Sequence, residues 1–200
     1  MRFADLVQKR RMVRAFDGRP VAPEVLDRVL DAARRGPSAG FTQGLDLLVL
    51  EGVAQTGCYW DLAFSDPGAR ARFRWQGLFA APVLVVILTS PVAYAERYAE
   101  ADKSPGAGAG SGPAAWSVPW WWVDGGMAAM LALLAAADEG LGALLFTLEH
   151  AGSVLSGFGV PSDRRGLATI ALGHPAPDQP GRSAGRHRRR FEEVIHRGQW

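Results

Sequence analysis

The sequence has almost no cysteine and almost no lysine. A single thiol, Cys58, excludes an internal disulfide framework and a multi-cysteine zinc site. With no motif around it, Cys58 reads as a buried structural thiol. His150, His174, His187 and His196 have no metal-ligand spacing and read as structural, so no metal is expected. A nucleophile–base constellation is also missing, which leaves no candidate catalytic side chain. Neither the apolar run at 47–50 nor that at 83–88 approaches the ~20 residues that cross a bilayer. Lys9, Arg10 and Arg11 interrupt the start before any apolar run forms, so a cleavable signal is not expected there. The expectation is a cytoplasmic protein with no membrane partner. An excess of one charge is lacking too: 22 Lys+Arg against 20 Asp+Glu leave +2. That near balance, without a recognition motif, argues against a nucleic-acid partner.

What is present suits one globular domain over 1–200: 48% hydrophobic and 21% charged residues in a chain long enough to bury a core. Apart from Lys9 and Lys103 the cations are all arginine, gathered at Arg10, Arg11, Arg14 and again at Arg186, Arg188, Arg189, Arg190. Arginine forks suit phosphate or carboxylate. Abundant Arg, Ala, Gly and Pro together also fit a GC-rich genome, so the arginine count alone decides nothing.

Apolar residues at Val25, Leu26, Val29, Leu30 and Ala33, with Pro23 in the first turn, predict an amphipathic helix over 23–35. Residues 45–50 and the β-branched run 82–89 predict buried strands, with short helices between them up to about residue 76. A Gly/Ala/Pro/Ser stretch at 104–113 predicts a flexible loop within the domain, and 94–112 a mobile lid. Asp124 is placed to cap an apolar central helix reaching residue 139. A strand at 143–148, a helix at 151–157 and a strand at 167–172 follow, then a Pro- and Arg-rich tail with an amphipathic segment at 191–195. Alternating helices and buried strands give an α/β or α+β class with one sheet between helices, and the expectation taken forward is α+β, α/β/α sandwich-like, with a central mixed sheet flanked by helices.

Three segments carry candidate chemistry. On a helix Arg10 and Arg14 would share a face with Arg11 beside them. Such a cluster is relieved by an incoming phosphate ester, or is a solvated basic helix end. The loop Pro37, Ser38, Ala39, Gly40, Phe41, Thr42, Gln43 offers donors and acceptors to the polar edge of a heterocycle, or is an ordinary helix-to-strand connection. Arg186, Arg188, Arg189 and Arg190 form the second basic cluster. The aromatic run Trp116, Trp120, Trp121, Trp122 either roofs a planar ligand or packs in core and interface, and Trp120 and Trp121 are the candidates for the pocket.

The order of these pieces resembles the nitroreductase family. It opens on Arg10, Arg11, Arg14 and Phe16 and continues through Pro37, Ser38, Ala39, Gly40 and Gln43. Next come the glycine- and alanine-rich helix at 124–142 and the strand and turn at 167–175, and the match ends on 188–196. The resemblance implies FMN held at the interface of an interlocked homodimer, with a C-terminal extension wrapping the partner subunit. It assigns phosphate and ribityl contacts to Arg10, Arg11, Met12 and Arg14, with Arg14 also reaching the pyrimidine edge. Pro37, Ser38, Ala39 and Gln43 of the other subunit would line the ring, backbone near Leu144 and Leu145 would approach it, and Arg188 or Arg189 would close the phosphate site. Phe41 would face substrate. The implied activity is ping-pong electron transfer from NADH or NADPH to a nitroaromatic, a quinone or a related planar acceptor. Biosynthetic oxidation, dehalogenation, chemistry on the flavin itself, or flavin binding without turnover are the alternatives. The chain departs from the family pattern at Met12, where Ser is common, at Phe41, where Asn is frequent, and at Gly44 and Leu45, where Pro-Trp is common.

Overall fold

Strand β2 (Val83–Thr89) is buried at every position, because both of its faces carry apolar side chains. Val83, Val85 and Ile87 point into one cluster, and Leu84, Val86 and Leu88 into another. A strand's period of two makes this continuous run the centre of a sheet covered on both sides. The computed structural model describes residues 2–64, 66–103, 116–181 and 183–200. Within them four strands pair in the order β1 (Leu45–Glu51), β2, β4 (Arg165–Gly173), β3 (Gly142–Phe146). Every pairing between these strands is antiparallel. Among the described residues, the parallel part of the expected mixed sheet is a bridge from Met12 to Ala143.

Seven α-helices among the described residues complete the layers. Helices α2 (Pro23–Arg34) and α6 (Trp120–Asp138) cover one face through Leu26, Val29, Ala33, Ala129, Ala132, Leu133 and Ala136. Helices α3 (Gly52–Ala63) and α7 (Ala151–Gly157) cover the other through Tyr59, Trp60, Ala63 and Val154. Helices α1 (Phe3–Lys9), α4 (Pro67–Arg72) and α5 (Pro91–Tyr98) lie around this α/β/α sandwich. By length and composition α6 is apolar enough to cross a membrane. It is nevertheless a packed helix here, lying close enough to the sheet that a Cβ on Gly125 would come within 2.9 Å of Leu167 Cδ2 and 3.0 Å of Thr89 Cγ2.

Three expectations need correction. Arg10 to Arg14 are not helical: α1 ends at Lys9, Arg10 takes φ −52° and ψ 130°, and Met12 pairs with β3. The backbone hydrogen bond from Val13 N–H to Ala143 O (2.9 Å) outweighs the local helical pattern. Asp124 does not cap α6, which starts four residues earlier at Trp120, directly after Pro119. Cys58 is exposed, on the outer side of α3, because Tyr59 and Trp60 take the inward positions. The expected loop at 104–113 lies outside the described residues. The part of the expected lid at 94–98 belongs to α5, where Tyr94 is buried.

Candidate functional site

The bridge between Met12 and Ala143 holds the arginine segment in extended form along the sheet edge. From Val13 onward the segment is gripped from its other side by the tail that leaves β4. Asp17 N–H donates to His174 O (3.1 Å), Ala176 N–H to Ala15 O (2.9 Å), and Arg14 N–H to Asp178 Oδ2 (2.9 Å). The tail thereby crosses Arg14, with a Cβ on Gly181 only 3.3 Å from Arg14 Nη1.

A cavity of about 670 Å³ opens between them, lined by Arg10, Arg11, Met12, Arg14 and Arg188 together with Ser183. Its size is within the ~300–1,000 Å³ range of small-molecule pockets. Among the described residues no carboxylate lines it. Arg11 Nη1 is turned to the Gln8 and Arg10 carbonyls, and Arg14 Nη1 donates to Met12 O at 3.2 Å while its guanidinium lies 5.3 Å from the Trp75 ring centre. Among the described residues Arg10 Nη1 has no hydrogen-bond partner although the atom is buried. A buried, charged donor left unpaired is costly unless a ligand acceptor completes it. The residues present therefore fit an anionic group, and a phosphate ester suits the forks. Arg189 is not among the lining residues; it donates to the Glu193 carbonyl.

Strand β3 runs beside this cavity. Leu144 is buried in the sheet core and Leu145 is half-buried against α6. Both carry apolar side chains inward, and neither lines the arginine cavity.

The loop after α2 lines a separate cavity of about 230 Å³ with Pro37, Ser38, Gln43, Gly44, Tyr94 and Asp124. Three of its residues are left-handed: Gly40 at φ 63°, Phe41 at 55° and Gln43 at 54°. Side chains other than glycine rarely adopt that conformation, and such strain persists only where neighbours enforce it. Here Gln43 N–H donates to Ser38 Oγ (3.0 Å), Thr42 Oγ1 to Ala39 O (2.6 Å), and Arg97 Nε to Gly40 O (2.8 Å). Ala39 N–H and the Tyr94 hydroxyl both donate to Asp124 Oδ2, at 2.8 and 2.6 Å. Burial, with the Asp124 carboxylate next to it, raises the Tyr94 phenol above its ordinary value. Phe41 is 74% exposed at the loop tip, free to face something outside the chain.

Within one chain the two sets remain apart: the arginine cavity and the Ser38–Gln43 cavity share no lining residue. Trp120 is exposed, whereas Trp121 is buried in an aromatic group with Tyr94 and Trp116 (centroids at 6.3 and 6.1 Å), which Tyr98 joins through Trp116. Asp124, Arg97, Trp75 and Ser183 are site neighbours that sequence reasoning missed. One signal pointed to Asp124, a lone carboxylate within an apolar helix, and it was read as a cap. Nothing local marks Arg97 or Ser183.

A family model described as Nitroreductase family matches residues 7–174. No curated protein sequence matches the chain. Among solved structures, it is similar to a putative NADH oxidase from Clostridium acetobutylicum at 22% identity and TM-score 0.69, over 98% of this chain and 100% of that one. It is similar to a putative nitroreductase in complex with FMN from Desulfovibrio desulfuricans at 20% identity and TM-score 0.70, over 98% and 95%. It is also similar to an FMN-dependent nitroreductase from Clostridium difficile R20291 at 18% identity and TM-score 0.70, over 99% and 100%. At these identities the likeness speaks for the fold.

Proposed function

The chain belongs to the nitroreductase family and is an oxidoreductase by that membership, and from that premise we propose that it works with FMN as a cytoplasmic homodimer, passing electrons from NADH or NADPH to a small planar acceptor. The observation that carries the cofactor is the unpartnered, buried Arg10 Nη1 within a carboxylate-free cavity of four arginines. FMN-containing relatives of the same fold add support. Bound there, FMN would supply the redox chemistry that links a nicotinamide donor to the acceptor.

The side chains have positioning work to do. Arg10, Arg11 and Arg188 hold the phosphate by charge-assisted bonds, and Met12 contributes backbone and an apolar wall but no hydroxyl. Arg14, steadied by Trp75 and the Met12 carbonyl, brings fixed positive charge toward the ring's electron-rich edge, where negative charge gathers on reduction. Pro37, Ser38, Ala39 and Gln43 of the second subunit line the ring, with Phe41 beside the substrate. Backbone of β3 at Leu144 and Leu145 closes the opposite side. Trp120 is exposed where a planar substrate is able to stack.

Two features favour the homodimer. Strand β1 is a sheet edge, flanked by a groove of about 530 Å³ lined by Leu30, Leu45, Leu47 and Val49 with Asp27, Asp31, Arg34 and Asp46, where Asp31 pairs with Arg34 and Arg35 and Asp46 with Arg164. The tail beyond Arg188 leaves apolar side chains uncovered, Phe191, Val194 and Ile195 being 63%, 50% and 44% exposed, while its Arg190 pairs with Glu193 of the same segment. A second copy's tail is the occupant whose exposed apolar side chains fit the leucine and valine surface of that groove.

The decisive experiment is the visible spectrum of the purified protein. Flavin absorption that NADH or NADPH bleaches, and that a nitroaromatic or quinone restores, is the expected result. A colourless protein that takes up no added FMN refutes the reading.

A further inference from the structure

Helix α6 carries two ionisable residues in nineteen, and one of them, Asp124, is 6% exposed. A carboxylate in such surroundings costs several kcal/mol unless it is fully engaged. Asp124 Oδ2 takes two donors, whereas Oδ1 is buried without any. What the group accomplishes in exchange is specific. It accepts the Ala39 N–H, the first backbone donor of a one-turn 3-10 helix (Ala39–Phe41), which has no acceptor within that turn. One residue on, the Gly40 carbonyl receives Arg97 Nε from the opposite side. Arg97 is itself fixed by both Asp102 oxygens (2.6 and 2.7 Å) and by Glu100. That pairing holds the Asp102 carboxyl at about 2, well below the ordinary carboxylate value.

We propose that Asp124 and Arg97 are positioning residues that form a two-point charged clamp on the successive residues Ala39 and Gly40, holding the loop with Ser38, Phe41 and Gln43 in its left-handed form before flavin arrives. The proposal rests on the functional reading above, since it takes these loop residues as the ring-side wall. Loop ordering is then complete in the free protein and is not charged against flavin affinity. Tyr94 supports the clamp through Asp124. Gly44 lets it approach, because a Cβ there would meet Tyr94 Cε2 at 2.6 Å. The unpartnered Oδ1 gives the clamp a particular tolerance. In Asp124→Asn the amide oxygen takes the place of Oδ2 and the amide nitrogen that of Oδ1, so both incoming donors keep their acceptor.

The test measures dissociation constants of FMN and of riboflavin by quenching of flavin fluorescence in wild type, Asp124→Ala, Asp124→Asn, Arg97→Gln and Arg10→Ala, with circular dichroism to verify folding. The clamp touches the ring side and the arginines the phosphate side. Asp124→Ala and Arg97→Gln are therefore expected to weaken both flavins alike, about tenfold, the equivalent of one hydrogen bond to a charged group. Their FMN-to-riboflavin preference stays at the wild-type ratio, Arg10→Ala collapses that ratio, and Asp124→Asn restores binding. Arg97 is a peripheral side chain, so Arg97→Gln keeps the test valid if Asp124→Ala fails to fold. Wild type that binds both flavins while Arg97→Gln and Asp124→Ala bind them unchanged overturns the clamp alone. Loss of preference in the clamp variants overturns it as well. Wild type that binds neither flavin overturns the functional reading and the clamp with it.

Discussion

Replacing Arg10 by Met should make the empty protein more stable and the FMN-loaded protein less so. The side chain is half-buried and its stem lies along the cavity wall, so methionine keeps much of the apolar volume while deleting the guanidinium. In the free protein the deleted group includes the buried donor Nη1, which has no partner. An unsatisfied buried donor costs about 1–3 kcal/mol, and the lower end applies to a residue with part of its surface in water. Relief of about 1 kcal/mol raises Tm by roughly 2–4 °C for a chain of this size. With phosphate bound, the same atom makes a charge-assisted bond contributing about 1.5–3 kcal/mol, so its loss raises Kd roughly 10- to 150-fold. At a ligand concentration of 100 times the wild-type Kd, stabilisation by FMN is about 2.7 kcal/mol and falls to ~1.4 kcal/mol after a tenfold loss of affinity. Scanning calorimetry with and without FMN reads both quantities. A clear fall in the Tm of the ligand-free variant would mean that Nη1 has a partner in solution. An undiminished FMN-dependent rise would mean that the phosphate sits elsewhere. Either result refutes the reasoning.

Further outcomes follow from packing and charge. The Tyr59 hydroxyl bonds Thr169 Oγ1 at 2.8 Å where both residues are fully buried, and burial pushes the phenol up to about 12. Between pH 10 and 12 the unfolded chain loses this proton first, so urea midpoints should decline across that window by the equivalent of ~1.4 kcal/mol per pH unit; Tyr59→Phe should flatten the decline and cost about 1–2 kcal/mol at pH 7. Gly125→Ala should destabilise by about 1–3 kcal/mol because its Cβ meets Leu167 and Thr89, whereas Gly126→Ala, with nothing within 4 Å, should gain up to ~1 kcal/mol of helix propensity. Equal thermal shifts for the two glycine variants would contradict the close approach of α6. Ending the chain after Arg188 should yield a monomer in analytical ultracentrifugation, and a truncated protein that remains dimeric refutes the tail's part in the interface.

Local patterns were legible where one face of an element decides its burial. The stripe through Leu26, Val29 and Ala33 gave α2, and the double-sided run at 83–89 gave β2. They misled where a distant partner overrules the neighbourhood. Arg10 to Arg14 have helical spacing, but Ala143, far away in sequence, claims Val13 for a strand-like pairing. Asp124 looked like a helix start because a carboxylate in apolar sequence usually is one. Only the fold reveals Ala39 and Tyr94 as its donors. Cys58 followed the general preference of thiols for burial, and α3 turned it outward because two larger aromatics fill the inner face. The type of the arginines pointed either to an anion site or to a solvated basic helix end. Their gathering with Ser183 and Arg188 was not, since it depends on how the tail folds back.

That fold-back imposes an order on synthesis. The arginine cavity takes its walls from residues 7–14 at one end of the chain and 181–188 at the other, while all four strands are complete by Gly173. Domains form from the N-terminal side as the chain emerges. The sheet is therefore able to assemble on the ribosome while the last wall of the cavity is still being made. A nascent or prematurely terminated chain has the framework and the first arginines but no closed anion site. On the proposed reading, an anionic cofactor finds its full set of arginines only after the chain has been made through Arg188.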